Sequence, residues 1–311
     1  MQKILVTGGA GYIGSILVPD LLNNGYEVTV LDLFNRPDFP LAHICQNPHF
    51  DVIRGDARDP DLINNIIKKF DIIIPLAALV GAPICSRDKL AAISTNLDAI
   101  KLLLNNMSLD QLIVYPTTNS GYGIGEKGKF CDETTALNPI SLYGKTKVDA
   151  EKAVLDSGKG ISLRLATVFG ISPKMRIDLL VNDFTWRACV DKAVVIFEGD
   201  FKRNYIHVRD VSKAFNHALL NANNFIGEAY NVGLSSANLT KLELCQKIKE
   251  QIPGFVFLES PIGEDPDKRD YMVSNEKIEA TGFNAEWTIE KGIFELIRGY
   301  KMLNVKRYAN I

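Results

Sequence analysis

Apolar and polar positions divide the first half of the chain into a regular alternation. The runs KILVTG, EVTVLDL, FDVIRGD, FDIIIPLAA, QLIVYPT and ISLRLATVFG are short and dominated by Val, Ile and Leu, the pattern of strands buried on both faces. Between them, YIGSILVPDLLNNG and PDLINNIIKKF repeat their apolar residues at helical spacing, and Gly25 supplies a C-terminal stop for the first. Strands alternating with helices predict right-handed crossovers and a parallel sheet covered on both sides.

Past Gly170 the pattern changes. Prolines, charged loops and amphipathic segments dominate, with one helix candidate, LTKLELCQKIKEQI, at Leu239–Ile252. Residues 1–170 are expected to form the regular α/β domain, with a return segment around 201–226. Residues 171–311 are expected to be mostly a smaller α/β lobe. No internal repeat, low-complexity tract or clean linker separates the two.

Composition narrows the possible partners. A chain of 311 residues is long enough for one large domain or two intimate ones with a substantial core. A hydrophobic fraction of 46% and a charged fraction of 23% suit a soluble globular protein. The net charge of −2 offers no basic field for nucleic acid or anionic lipid. An anionic ligand must therefore be gripped locally, by helix ends and single arginines. MQKILVTGG passes directly into a strand pattern, so no signal peptide is expected. The longest apolar run, IIIPLAALVGAPIC at Ile72–Cys85, is too short for a membrane span and is broken by Pro75, Gly81 and Pro83. The five cysteines are scattered and never spaced C-x-x-C, and the four histidines do not cluster. Reduced thiols in the cytoplasm are expected, and no metal site.

TGGAGYIG puts Gly8, Gly11 and Gly14 at the turn between the first strand and the first helix. In such a unit the first glycine allows the tight turn and the second lets a pyrophosphate approach the backbone. The third lets helix and strand pack closely. The fold class this implies is a Rossmann-type doubly wound parallel sheet carrying the smaller lobe. Asp32 follows Gly14 by 18 residues, at the end of the second strand, where a carboxylate grips a ribose diol. That favours NAD over NADP, although Arg36 nearby is the kind of residue that accepts a 2′-phosphate. Asp56, in GDAR, has two readings: a contact to the adenine amine, or an ordinary helix cap.

Tyr143 and Lys147 are four residues apart in SLYGKTK and share one helix face. A phenol near pKa 10 is a poor base at neutral pH until positive charge stabilises its anion. Lowering it by ~3 units needs ~4 kcal/mol, and one cation at ~5 Å with an effective dielectric of ~20 supplies ~3 kcal/mol. Lys147 together with the charge of a nicotinamide meets that requirement. The strand-end stretch YPTTNSGYG at Tyr115–Gly123 carries hydroxyls and an amide but no acid.

With these pieces in order, the sequence resembles the extended short-chain dehydrogenase/reductase family, the nucleotide-sugar epimerases and dehydratases. The resemblance runs through TGGAGYIG, PLAALVG, TTNSGYG, YGKTK and RNYIHVRDV. It implies a catalytic trio of Thr118, Tyr143 and Lys147, with Thr117 structural. It implies cofactor contacts at Tyr12, Ile13, Ala57, Leu76, Ala77 and Ala78 besides the glycines, Asp32, Asp56, Tyr143 and Lys147. In the family's 4,6-dehydratases an Asp-Glu pair follows the threonine, and in its 3,5-epimerases a cysteine stands two residues on. Here those positions are Asn119 and Ser120, neither able to exchange a proton usefully near pH 7. What remains is hydride chemistry at one carbinol, ending either in a 4-ketone or in 4-epimerisation.

The resemblance also implies a nucleoside-diphosphate sugar as substrate, with residues 1–170 as the NAD-binding Rossmann domain and residues 171–311 mostly as the substrate-binding lobe. Thr118, Asn119 and Ser120 are expected to face the sugar, and Arg203 of RNYIHVRD and Arg269 of DPDKRDYMVSN its diphosphate. Each arginine has the alternative of being a solvated surface charge. Asn182 in LLVNDF resembles an asparagine that bonds substrate, and its alternative is a loop or cap amide. Thr167 replaces the family's asparagine in RLATVFG. His207 reads as a buried hydrogen-bonding group. LVGAPIC, TTNSGYGIGEK, LATVFGISPKMRIDLLVNDF and GEDPDKRDYMVSN resemble most closely the GDP-heptose 4-dehydrogenase branch, which acts in bacterial capsule biosynthesis. That resemblance implies a GDP-linked sugar, and a homodimer or homotetramer. Reoxidation of NADH, by free exchange or by a 2-oxo acid, stays open. The reading from another class is a non-catalytic NAD-binding sensor on the same fold.

Overall fold

The computed structural model describes residues 1–261 and 269–303. Its centre is a sheet of seven strands: β1 (Lys3–Thr7), β2 (Glu27–Asp32), β3 (Phe50–Arg54), β4 (Ile72–Pro75), β5 (Leu112–Thr118), β6 (Gly160–Leu165) and β7 (Ala229–Val232). Their order is β7-β6-β5-β4-β1-β2-β3, and every pairing is parallel. This is the Rossmann-type doubly wound sheet, with the strand order reversing between β1 and β4. A crevice at the carboxyl ends follows from that reversal.

Eight helices matter for the site: α1 (Gly14–Asn23), α2 (Pro60–Ile66), α3 (Ala99–Asn106), α4 (Leu142–Asp156), α5 (Leu180–Val190), α6 (Val208–Leu220), α7 (Lys241–Gln251) and α8 (Ile289–Tyr300). Alternation along β1 sends Ile4 and Val6 into the layer with Leu17, Leu21, Val211 and Phe215, from α1 and α6. Leu5 goes to the opposite layer, with Ile63, Ile100, Leu103 and Val154 from α2, α3 and α4. Both layers exclude water from the central strands, which is why these read as apolar runs, while the edge strand β3 is largely exposed and carries Asp51 and Arg54.

ISLRLATVFG does not form one strand. Gly160–Leu165 joins the large sheet, the chain turns at Ala166, and Thr167–Phe169 pairs with Tyr205–His207 in a separate three-stranded sheet. That sheet, with α5, α7 and α8, encloses a second core around Phe169, Phe184, Leu244, Ile248, Ile293 and Leu296. The segment Lys202–His207 stays with this smaller sheet. The chain returns to the large one through α6 and β7, whose Tyr230 and Val232 join the first core. At four residues, AYNV is too short to stand out as a strand in the sequence.

His207 is a structural residue. It is fully buried, stacked on Trp287 at 4.1 Å between ring centres, and bonded through Nε2 to Glu295 at 2.8 Å. All five cysteines are free. Among the described residues no helix is long and apolar enough to cross a membrane. Nor do any of their His, Cys, Asp or Glu side chains group as a metal site.

Candidate functional site

Between the two cores lies a cleft of about 840 Å³, walled by the carboxyl ends of the central strands on one side and the loop after Phe169 on the other. The glycine loop forms its floor. Gly8 has φ +71°, and a Cβ there would lie 2.5 Å from the backbone nitrogen of Ala77, so the chain leaving β4 crosses directly over the turn. Leu76, Ala77 and Ala78 line the cleft for this reason. A Cβ on Gly11 would meet only the Gly8 carbonyl, at 3.0 Å, and otherwise opens to the cleft. Gly14 is constrained by its own loop, since a Cβ would lie 2.3 Å from the Gly9 carbonyl oxygen. The close packing on the strand side belongs to Gly9, whose Cβ would lie 2.7 Å from Val30. The sequence motif assigns that packing to its third glycine, and this loop gives it to a different one.

Tyr12, Ile13, Asp32, Asp56 and Ala57 also line the cleft. The Asp32 carboxylate accepts one N–H from Ala10 and one from Phe34, both at 3.1 Å. Its remaining lone pairs are suited to ribose hydroxyls. Asp56 is not the cap of α2. That role is taken by Asp59, which accepts the N–H groups of Asp61 and Leu62, while Asp56 pairs with Arg58 at 2.6 Å. The Arg58 bond holds the Asp56 carboxyl below its usual range. Arg36 is exposed. A bare glycine edge, a helix mouth and an acid at the end of the second strand together fit a dinucleotide.

At the other end, Ser141 caps α4 by accepting the Gly144 N–H at 3.1 Å. This starts the helix so that Tyr143 and Lys147 lie one turn apart on the cleft wall, next to Thr118 at the end of β5. The Thr118 hydroxyl accepts the Ser120 N–H at 3.1 Å and shares a hydrogen bond of 2.9 Å with the Ser120 hydroxyl. Desolvation pushes the Tyr143 phenol up to about 12. Arg269, Arg176 and a hydrogen bond with Thr118 pull it down, and the Cys85 thiol opposes them. Lys147 is 4% exposed, and its ammonium lies 4.0 Å above the Tyr115 ring. Burial pushes it down to about 7, with Glu151 opposing. The positive charges that hold the phenol down are those of Arg269 and Arg176.

The substrate candidates divide. Arg203, on Lys202–His207, and Arg269, next to the pairing of Phe130–Cys131 with Met272–Val273, both line the cleft. Residues 263–268 of the GEDPDKRDYMVSN stretch lie outside the described residues. Ser120 is buried behind Thr118, with its hydroxyl bonded to Arg269. Asn119 is 1% exposed and off the cleft wall. The structure also puts Asn182 elsewhere than expected. It is fully buried, its Oδ1 accepts the Gly170 N–H at 3.0 Å, and its Nδ2 donates to the Arg176 carbonyl at 2.8 Å. All its effective hydrogen bonding is internal, so it positions the loop and does not touch the cleft. The next residue, Asp183, turns about 100° around α5 and does line the cleft.

Lys174, Arg176 and Asp178 line the cleft as well, and none is a candidate in the sequence reading. Their signal was three charges at alternate positions, with Met175 and Ile177 between them packed into the second core. Arg176 is forked onto Asp178 at 2.7 and 2.5 Å.

A dinucleotide-type cleft with a tyrosine and a lysine one helical turn apart defines a Rossmann oxidoreductase-like protein. Comparison with known proteins carries the assignment further. Residues 4–233 match the NAD dependent epimerase/dehydratase family, and the chain belongs to it. It is 29% identical over 306 residues to the low-salt glycan biosynthesis protein Agl12 of Haloferax volcanii, covering 94% of this chain and 96% of that one. It is 31% identical to the uncharacterized UDP-glucose epimerase YtcB of Bacillus subtilis, covering 75% and 77%. The solved UDP-glucuronic acid 4-epimerase of Bacillus cereus, in complex with UDP-glucuronic acid and NAD, superposes with a TM-score of 0.83. It is 27% identical, over 97% of this chain and all of that one.

The two outer glycines of the motif should separate experimentally. Gly11→Ala is expected to weaken NAD binding about tenfold in a fluorescence titration with little change in melting temperature. Gly14→Ala is expected to lower the melting temperature by a few degrees. Lys147 gives a pH signature. Its folded pKa of about 7 lies below its ordinary 10.5, so between those values only the unfolded chain binds the proton and stability rises with pH. Denaturant titrations of the cofactor-free protein at pH 7 and 8.5 should show a gain of roughly 1.5 kcal/mol, absent in Lys147→Met.

Proposed function

We propose that this chain oxidises the C4 hydroxyl of a nucleoside-diphosphate sugar to the 4-keto sugar. We further propose that the sugar nucleotide is GDP-D-glycero-α-D-manno-heptose, used in capsular polysaccharide biosynthesis. The observation that carries the reaction type is the composition of the wall around Thr118. Tyr143 and Lys147 adjoin it, and the next two positions, Asn119 and Ser120, are buried and hold no acid or thiol. Without a second proton carrier there, elimination of water and inversion at neighbouring carbons lack the group they need. The heptose and the guanine rest on the likeness of LVGAPIC, TTNSGYGIGEK and LATVFGISPKMRIDLLVNDF to that branch.

In this reading the C4 hydroxyl is held by Thr118, and Tyr143 Oη takes its proton. Lys147 steadies the phenolate and the cofactor ribose, while Arg269 and Arg176 lower the cost of charging the phenol. Arg203 and Arg269 receive the diphosphate. NAD, when bound across Gly8–Gly14 and Asp32, supplies the acceptor for the hydride that leaves C4. Asn182 acts one step back, by holding the Arg176 carbonyl. Assembly as a homodimer or homotetramer belongs to the same proposal.

A second reading is 4-epimerisation. The likeness to UDP-sugar 4-epimerases favours it, because the same trio serves if the ketone turns over before leaving.

Tyr143→Phe should reduce the rate about 10²–10⁴-fold; a variant oxidising substrate at the parent rate sinks the assignment. The rate should rise with pH as the phenol ionises. Arg176→Met removes a stabilising cation, so that rise should move to higher pH in a kcat profile. Incubation with GDP- and UDP-sugars, followed by mass and NMR analysis, separates the outcomes. Loss of two hydrogens gives the ketone, unchanged mass with inverted C4 the epimer, and loss of water defeats both readings.

A further inference from the structure

We propose that Lys174 and Asp38 form a clasp between the two sides of the cofactor cleft, and that release of the dinucleotide requires this pair to part. The two residues come from different parts of the fold. Asp38 lies on the loop that leaves β2 just after Asp32. Lys174 lies on the segment that follows Phe169 and leads into the smaller lobe. Their side chains form an ion pair, and both are largely shielded, at 21% and 13% exposure for Lys174 and Asp38. Shielding matters, because an exposed pair of this kind contributes little.

Each arm of the clasp is anchored. The Lys174 N–H donates to Ser15 Oγ at 3.3 Å, Ser15 Oγ is bonded to Ser172 Oγ at 2.7 Å, and Ser172 Oγ donates to the Tyr12 carbonyl at 2.7 Å. This arm is therefore fixed to the mouth of α1, beside the glycine loop. On the other side, Asp32 accepts the Phe34 N–H at 3.1 Å, and Arg54 donates to the Phe34 carbonyl at 3.0 Å. Phe34 itself has φ +45°, a conformation that a bulky residue adopts only where its surroundings enforce it. The loop bearing Asp38 thus starts from a held position.

Lys174 lines the same cleft as Gly11, Tyr12, Ile13 and Asp32. Asp38 does not line the cleft, so the pair sits at its edge and joins a segment beside the glycine loop to the loop that follows Asp32, the two places where a dinucleotide is gripped. Release then needs the ion pair to break as well as the ligand's own contacts. The inference depends on the NAD dependence of the family and not on the identity of the sugar, so it stands or falls separately from the proposed reaction.

The test follows bound NADH. Protein loaded with NADH is mixed with excess NAD, and the decay of NADH fluorescence gives the release rate. Lys174→Met and Asp38→Asn are each expected to release NADH about tenfold faster than the parent. The double exchange Asp38→Lys with Lys174→Asp is expected to restore slow release, because it rebuilds the pair with the charges swapped. Raising the salt concentration should accelerate release from the unmodified protein, a measurement that needs no variant to fold. Release at the parent rate from both single variants overturns the clasp, as does parent release that salt leaves unchanged. Fast single variants that the double exchange fails to slow also overturn it, and assign Lys174 to direct contact with the cofactor phosphates.

Discussion

The Tyr12 hydroxyl, donated to the Gly170 carbonyl at 2.7 Å, joins two parts of the molecule that have separate hydrophobic cores. Around it, Asn182 bonds both Tyr12 and the Arg176 carbonyl, and Ser15 bonds Ser172. The seam is polar because it is made of a helix mouth and a loop, whose backbone groups need partners once buried. It is also what gives the site a fixed width. The glycine loop belongs to one side and the charged Lys174–Asp178 stretch to the other. Apolar packing crosses the seam as well, since Tyr12 and Ile16 lie in the second core and Ile13 packs against both; the directional bonds add the precise register.

Gly170 shows how tightly the seam is built. It has φ +110°, and a Cβ there would lie 2.2 Å from the His207 ring. His207 is in turn pinned by Trp287 and Glu295. The backbone at the join can take its path only because the side chain is absent, and the histidine is committed to structure. Proton transfer is proposed for Tyr143, which hydrogen-bonds Thr118 on the cleft wall.

Electrostatics at the site is a contest between burial and fixed charge. Burial alone works against a charged phenol and a charged lysine, and it prevails at both Tyr143 and Lys147. Behind them, Glu151 is buried with Arg164 at 2.7 Å and also accepts from Ser162, so a compensated carboxylate stands one helical turn beyond the lysine. In the proposed reaction the positive nicotinamide ring of bound NAD would add charge beside the phenol, where burial outweighs the protein's own cations.

Local pattern determined much of this protein. Six of the seven strands of the large sheet, the glycine turn, the acid at Asp32 and the spacing of Tyr143 and Lys147 are legible in the chain, because the pattern that marks each lies within a few residues. Asn182 and Asp183 mark the limit. Which of two adjacent polar residues reaches the cleft depends on where α5 begins and how it is rotated against Phe169 and Tyr300, and local spacing does not encode that rotation. The same holds for Ala166, where one apolar run divides between two sheets, and for Lys174, whose partner Asp38 is distant in sequence. Side-chain type and period specify the elements and their chemistry; the contacts between elements decide which side chains meet, because those contacts come from packing across the whole fold.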